Sequence, residues 1–218
     1  MLGWMKGKML LPLAFMVVFA LSRIPGMLPP NFSAAYGLLF CAGVYFSGRM
    51  AWWLPLVTLL VTDVGLDVYY RGLGWHVFDS ATLTFQLINY FAYLCLIGLG
   101  RRFKPQSSFL SLLSGGILGA VLFYVITNTA SWLFNPFGNP EYTRTLVGWL
   151  TALTKGTSGW PETWEFFRNT LLSGGLFTGL FVGAMKILEA AESAKEKEPE
   201  AEAAPEPEAG EKPDEAKA

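Results

Sequence analysis

The sequence predicts an all-α integral membrane protein with six transmembrane helices, both termini in the cytoplasm, and a disordered acidic C-terminal tail. Hydrophobic side chains make up 52% of its 218 residues. They stand in long blocks, whereas a soluble amphipathic helix would alternate them with polar side chains. Most charged residues fall between these blocks or beyond the last one. Both patterns are typical of chains that cross a bilayer several times.

Six apolar segments define the predicted spans. The first covers residues 9–21, and we expect it to be a retained helix rather than a cleaved signal peptide, because Arg23 and Pro25 follow it at once. The other spans are predicted at residues 32–47, 50–68, 81–100, 107–134 and 161–188. Between the last two, Leu146, Leu150 and Leu153 have helical spacing, which indicates a short helix along the membrane surface.

The C-terminal tail differs in composition from everything before it. Residues 189–218 hold 11 of the 17 acidic and four of the 16 basic side chains, and no apolar residue larger than Ala. Such a segment buries too little surface to offset its chain entropy, so we expect it to be disordered. The sequence therefore divides into a transmembrane domain, residues 1–188, and a solvated tail, residues 189–218.

Lysine and arginine set the predicted orientation. Six spans put both termini on one side, and the short segments on that side are the more basic, since they include Arg49 and the cluster Arg101, Arg102 and Lys104. Short basic segments remain in the cytoplasm. Both termini are therefore expected in the cytoplasm of a bacterial inner-membrane protein.

Polar side chains collect in the outer halves of the spans under this orientation. Asp63 and Asp67 lie one helical turn apart and share a face. We predict a solute-binding pocket formed by outer-half residues, and its candidate lining residues are Asn31, Asp63, Asp67, Gln86, Asn89, Asn128 and Asn169. Two alternatives remain open: the aspartates could cap the span at the headgroups, and the asparagines could join neighbouring helices.

The inner halves contain small residues instead. Ser111, Gly115 and Gly119 recur every four residues in the fifth span, and Gly175, Gly179 and Gly183 do so in the sixth. This spacing lets helix backbones approach closely. Polar lining above a closely packed floor predicts a cup that binds a solute and does not conduct alone.

Aromatic residues are frequent near the outer boundary. Tryptophans stand at positions 75, 132, 149, 160 and 164. An aromatic belt at the membrane interface explains them most simply, and stacking on a flat ligand is the alternative.

Neither metal nor cofactor chemistry is indicated. The single histidine, His76, stands near Asp63, Asp67 and Asp79, but the set lacks ligand spacing, so no metal site is predicted. Phosphate-loop and hydrolase motifs are also missing from the sequence. We therefore expect no cofactor, no nucleic-acid partner and no enzymatic activity.

Three segments resemble a known group of proteins. They are RIPGMLPPNFSAAYGLLFCAGVYF at residues 23–46, Thr127-Asn128 with Trp132, and FFRNTLL at residues 166–172. They look like a group of bacterial membrane proteins commonly labelled as similar to the S components of energy-coupling-factor transporters. The resemblance covers most of residues 9–188. It implies six helices, an outward-opening site for a vitamin or metal ion, and a transmembrane coupling protein with ATPases as partners.

Two other functions remain open on the sequence alone. Asp63 and Asp67 could act as an acid and base on a lipid-linked substrate, because adjacent carboxylates shift each other's pKa. Alternatively, a non-catalytic scaffold could recruit a soluble partner through its acidic tail.

Overall fold

The structure, a computed structural model, describes residues 2–202, with side chains for residues 12–194. Within that range the chain forms helices and turns, with no strand. The helices are α1 (Leu2–Ser22), α2 (Ala35–Tyr45), α3 (Met50–Gly72), α4 (Ser80–Gly100), α5 (Phe109–Phe134), α6 (Leu146–Thr154) and α7 (Thr163–Glu202). The prediction of an all-helical chain is confirmed for this part of the sequence.

Four of these helices have the length and apolar composition needed to cross a membrane. They are α3, α4, α5 and residues 163–194 of α7. Helix α6 occupies the segment in which a short surface helix was predicted. These four helices indicate a membrane protein. Among the described residues, the number of helices long enough to cross a membrane is smaller than the six spans predicted.

Helix α2 is shorter than the predicted span at residues 32–47. It has 11 residues, which at 1.5 Å per residue is about 16 Å, roughly half the thickness of the hydrocarbon core. The helix stops because Phe46 is extended, at φ −84° and ψ 137°. Gly48 then takes a left-handed conformation, at φ +53°, and turns the chain into α3.

Helix α2 is nevertheless the centre of the bundle. Every residue from Ala35 to Val44 is buried. A Cβ atom added to Gly37 would lie 2.6 Å from the backbone nitrogen of Thr178 in α7, and one added to Gly100 in α4 would lie 3.0 Å from the Cα of Gly43. Only glycine allows backbones to approach this closely.

The predicted glycine series pack inside the chain, but the closest crossing uses other glycines. Gly175 and Gly179 contact Ile117 and Leu113, whereas Gly183 has open space around it. The tightest contact of α5 with α7 is at Gly116, where an added Cβ would overlap Thr178 Oγ1. Gly115 and Gly119 of the predicted series face Phe40 and Leu96 instead, so a four-residue repeat does not show which helix its glycines contact.

The helix connections meet at two ends of the bundle. At one end, the Arg101 guanidinium after α4 donates to the Phe46 carbonyl after α2, with a donor–acceptor distance of 3.4 Å. At the other, the α1–α2, α3–α4, α5–α6 and α6–α7 connections line one cavity together. Neighbouring helices that alternate in direction would place the connections in this way.

Helix α7 continues past the predicted domain boundary. The chain divides into two compact units, residues 1–183 and residues 184–218. Residues 189–202, which we expected to be disordered, are helical as far as Glu202. Glu, Ala and Lys are all strong helix formers, which accounts for the difference. The rest of the predicted tail, residues 203–218, lies outside the described residues.

Candidate functional site

A cavity of about 830 Å³ lies where the connections converge. Binding sites for small organic molecules commonly enclose about 300 to 1,000 Å³. The ends of α4, α5 and α7 contribute to its wall, and the connections before and after α6 close over it. Its volume therefore fits a small solute.

The connection between α5 and α7 is held together by side-chain hydrogen bonds. Asn135 ends α5 in a left-handed conformation, and its Nδ2 donates to the Asn139 carbonyl at 2.9 Å. The Ser158 amide donates to Glu141 Oε1, also at 2.9 Å. This bond from the Ser158 amide lowers the pKa of the Glu141 carboxyl. These bonds hold two segments together, and Tyr142 from one and Trp160 from the other line the cavity.

The α3–α4 connection forms another wall. Asp79 caps α4 by accepting hydrogen bonds from the amides of Ala81 and Thr82, at 2.9 and 3.0 Å, and from the Thr82 hydroxyl at 2.8 Å. The bonds from Thr82 keep the pKa of this carboxyl below its ordinary value. On the same wall, the rings of Tyr70 and Trp75 lie with centroids 5.6 Å apart. This wall therefore presents a carboxylate and two aromatic rings.

The floor of the cavity is aromatic. Phe123 lines it and stacks on Tyr93 of α4, with ring centroids 4.9 Å apart and planes at 26°. On the α2 side, Tyr36 lies 4.9 Å from the same ring. Thr127 and Thr170 place hydroxyl groups on the floor, and each hydroxyl also donates to the backbone of its own helix. A flat molecule could therefore rest on rings and find hydroxyl groups beside them.

Two of the predicted site residues line this cavity, Asn31 and Asn128. Asn31 reaches it from the α1–α2 connection, in a left-handed conformation with φ 57°. Asn128 donates through Nδ2 to the Tyr124 carbonyl one turn earlier, at 2.9 Å, which fixes the side chain and leaves its amide oxygen for other donors.

Asn169 supports the cavity from outside it. Its Nδ2 donates to the Pro30 carbonyl at 2.9 Å. This bond ties the start of α7 to the α1–α2 connection. It joins the residue before Asn31 to the residue before Thr170, and both Asn31 and Thr170 line the cavity. Asn169 therefore has the alternative role considered for the asparagines, which is to join neighbouring segments of the chain.

Asp63 lies elsewhere, in a salt bridge with Arg23. The two side chains are 11% and 14% exposed, and Arg23 also lies over the ring of Phe19 at 6.0 Å. Asp67, Gln86 and Asn89 are half-buried on α3 and α4 and are not among the described residues that line the cavity. The structure thus places Asn31 and Asn128 on the cavity lining and Asp63, Asp67, Gln86 and Asn89 off it.

The aromatic lining residues were not among the predicted site residues. They are Tyr70, Trp75, Phe85, Phe123, Tyr124, Phe137, Tyr142, Trp160 and Phe166. Of the tryptophans, Trp75 and Trp160 line the cavity, whereas the indole of Trp132 donates to the Thr143 carbonyl at 2.6 Å and that of Trp149 to Thr129 Oγ1 at 3.0 Å. The frequency of aromatic residues in the connections that line the cavity was the available signal.

Comparison with known proteins places the chain in a family. No curated protein and no solved structure matches it. A model described as a family of unknown function (DUF6580) matches residues 5–198, which include every residue of the cavity. The match covers most of the 218 residues. The chain therefore belongs to DUF6580, a family of unknown function.

Proposed function

We propose that this protein is a membrane-embedded solute-binding subunit, similar to the S component of an energy-coupling-factor transporter. It captures a small molecule in an outward-facing pocket for uptake. The observation that carries the proposal is the cavity of about 830 Å³ enclosed by the four connections at one end of the bundle. Sites that bind small molecules combine such a volume with apolar walls and a few placed polar groups.

The orientation of the cavity follows from the charges at the opposite end. Arg49, Arg101, Arg102 and Lys104 stand in the short connections there. Such basic segments face the cytoplasm, which turns the cavity outward. In this proposal α1 and α2 complete a six-pass domain with cytoplasmic termini.

The lining favours an organic solute of vitamin size over a metal ion. Aromatic faces and the amides of Asn31, Asn128 and Asn139 surround the space. Rings bind flat organic molecules by stacking, and amides orient them by hydrogen bonds. Hard metal ions instead require several carboxylate or carbonyl oxygens together.

Uptake requires partners in this proposal. The sequence has no ATP-binding motif. A transmembrane coupling protein with ATPases would supply the energy, as the resemblance to S components implies. The lipid bilayer surrounds the apolar outer faces of the spans.

The pairing of Asp63 with Arg23 supports a binding protein over an intramembrane enzyme. An acid and base pair built from Asp63 and Asp67 needs both carboxylates to exchange protons freely. Asp63 is instead held by a guanidinium inside the bundle. We therefore propose a non-catalytic role for both residues.

Thermal unfolding in the presence of water-soluble vitamins tests the proposal. Each vitamin is added singly at millimolar concentration to the detergent-purified protein, and one that binds the cavity raises the melting temperature. Ser131→Phe places a ring in the cavity and should abolish the rise. Ser111→Phe, an exposed position on the same helix, is the matched control and should retain it. A rise that persists unchanged in Ser131→Phe would show that the solute binds elsewhere.

A further inference from the structure

The charges that face the cavity are unbalanced. Among the described residues that line it, Asp79 supplies the one carboxylate, and neither lysine nor arginine is present. Its hydrogen bonds to the first turn of α4 keep Asp79 ionised at neutral pH. His76, also on the lining, is the remaining side chain there that can become positively charged.

The basic side chains near the cavity do not line it. Arg71 does not line the cavity but an adjoining depression of about 430 Å³, which shares Trp75, His76 and Asp79 with it. The Arg168 guanidinium lies over the ring of Trp164, 5.7 Å from its centroid. Lys155 is exposed and is not part of the lining. The cavity therefore carries its negative charge without a cationic side chain on its own walls.

Electron-rich rings line the same cavity as this carboxylate. Tyr70 and Trp75 form a pair on the wall formed by the α3–α4 connection, and Trp160 and Tyr142 come from the connection between α5 and α7. The faces of tryptophan and tyrosine attract cations within about 6 Å of their centroids.

We propose that the cavity selects a positively charged organic solute, such as a planar heterocycle with a quaternary nitrogen, held against the Trp and Tyr faces with Asp79 as its counter-charge. This inference rests on the proposed function and narrows it to one class of solute. Asp63, a buried carboxylate outside the cavity lining, is paired with Arg23. Charge recognition consequently falls to Asp79.

A matched series of three probes tests the inference. They are 2-methylisoquinolinium, which is cationic, isoquinoline, which is neutral at pH 8, and isoquinoline-3-carboxylate, which is anionic. All three share one ring system, so that a difference in affinity reports charge. Isothermal titration calorimetry on the full chain in nanodiscs should show the cation binding about tenfold more tightly than the neutral probe. The anion should bind most weakly.

Two pairs of variants locate the effect. Asp79→Asn keeps the helix cap, since Asn is an equally good N-cap residue, and should weaken only the cation, about three- to fivefold. Glu162→Gln removes an exposed carboxylate that does not line the cavity and should change nothing. Trp160→Leu should weaken the cation about tenfold, while Trp164→Leu, outside the cavity, should not.

The outcomes separate this inference from the function on which it rests. Equal binding of the neutral and cationic probes, or tighter binding of the anion, overturns the charge preference and leaves a solute-binding cavity. An affinity for the cation that Asp79→Asn leaves unchanged overturns the role of Asp79. Failure of all three probes to bind overturns the proposed solute class, and the vitamin measurements with Ser131→Phe then decide the proposed function independently.

Discussion

Arg23 and Asp63 form a salt bridge within the bundle and join the segment after α1 to the middle of α3. Neither residue lines the cavity. Tyr93 and Tyr36, which pack on the floor residue Phe123, both interact with the charge of Arg23. The pair is therefore linked to the aromatic floor through these two tyrosines.

Removal of one member of this pair should be costly. Asp63→Asn leaves the guanidinium buried without a counter-charge, and we expect a loss of about 3 to 5 kcal/mol of stability. The double variant Arg23→Met with Asp63→Leu should recover most of that loss, because two apolar side chains replace both charges. Thermal melts of the three proteins measure this. Equal destabilisation in the single and double variants would mean that the charges themselves contribute little.

Two nearby glycines in α4 should respond differently to alanine. Gly100 faces α2, where an added Cβ meets the Phe40 carbonyl, whereas Gly98 has nothing within 4 Å. Gly100→Ala should destabilise the protein by about 1 to 3 kcal/mol through overpacking. Gly98→Ala should be neutral or stabilising by up to about 1 kcal/mol, because alanine favours helix. Comparable losses at both positions, measured by unfolding in detergent, would contradict the α2–α4 contact.

The hydrogen bond of Glu141 should make the connection over the cavity sensitive to acid. The pKa of Glu141 is lowered in the folded protein, so the bond contributes fully above the ordinary carboxyl value of 4.5 and is lost as the pH falls through the lowered pKa. The protection factor of the Ser158 amide, which corrects exchange for its intrinsic pH dependence, should fall in Glu141→Ala at pH 7 and in the wild type on acidification. Glu162→Ala is the control. A protection factor as high in Glu141→Ala as in the control would refute the bond.

Cysteine labelling tests the proposed orientation. In a variant without its natural thiols (Cys41→Ala, Cys95→Ser), Ser158→Cys lies in the connection over the cavity and Gln106→Cys at the opposite end. A membrane-impermeant maleimide should label Ser158→Cys on intact cells, and Gln106→Cys only after permeabilisation. The reverse pattern would place the cavity on the cytoplasmic side.

Most helix positions could be predicted from the sequence because apolar blocks and basic or proline boundaries are local features. Predicted boundaries for the third to fifth spans differ from α3, α4 and α5 by four residues or fewer. The boundaries of α2 differ from the predicted span by three residues or fewer, because its apolar run ends at Phe46, where the backbone becomes extended before the turn at Gly48. The residues after Glu189 were expected to be disordered on overall composition, although their Glu, Ala and Lys favour helix individually.

Two of the seven candidate site residues, Asn31 and Asn128, line the cavity. Sorting the polar residues by depth selected Asn128 from its place along the fifth span. It could not reveal that Asp63 pairs with Arg23, because they stand 40 residues apart and the pairing depends on how α3 packs beside α1. Trp75 and Trp160 were interpreted most simply as belt residues, because tryptophans that anchor a helix at the interface and tryptophans that line a cavity there lie at the same depth.

Native mass spectrometry of the purified full-length protein tests the central claim most directly. The cavity should retain one small molecule per chain, seen as a discrete added mass that is absent from Ser131→Phe and present in Ser111→Phe. An added mass that remains undiminished in Ser131→Phe would contradict the assignment of this cavity as the solute-binding site.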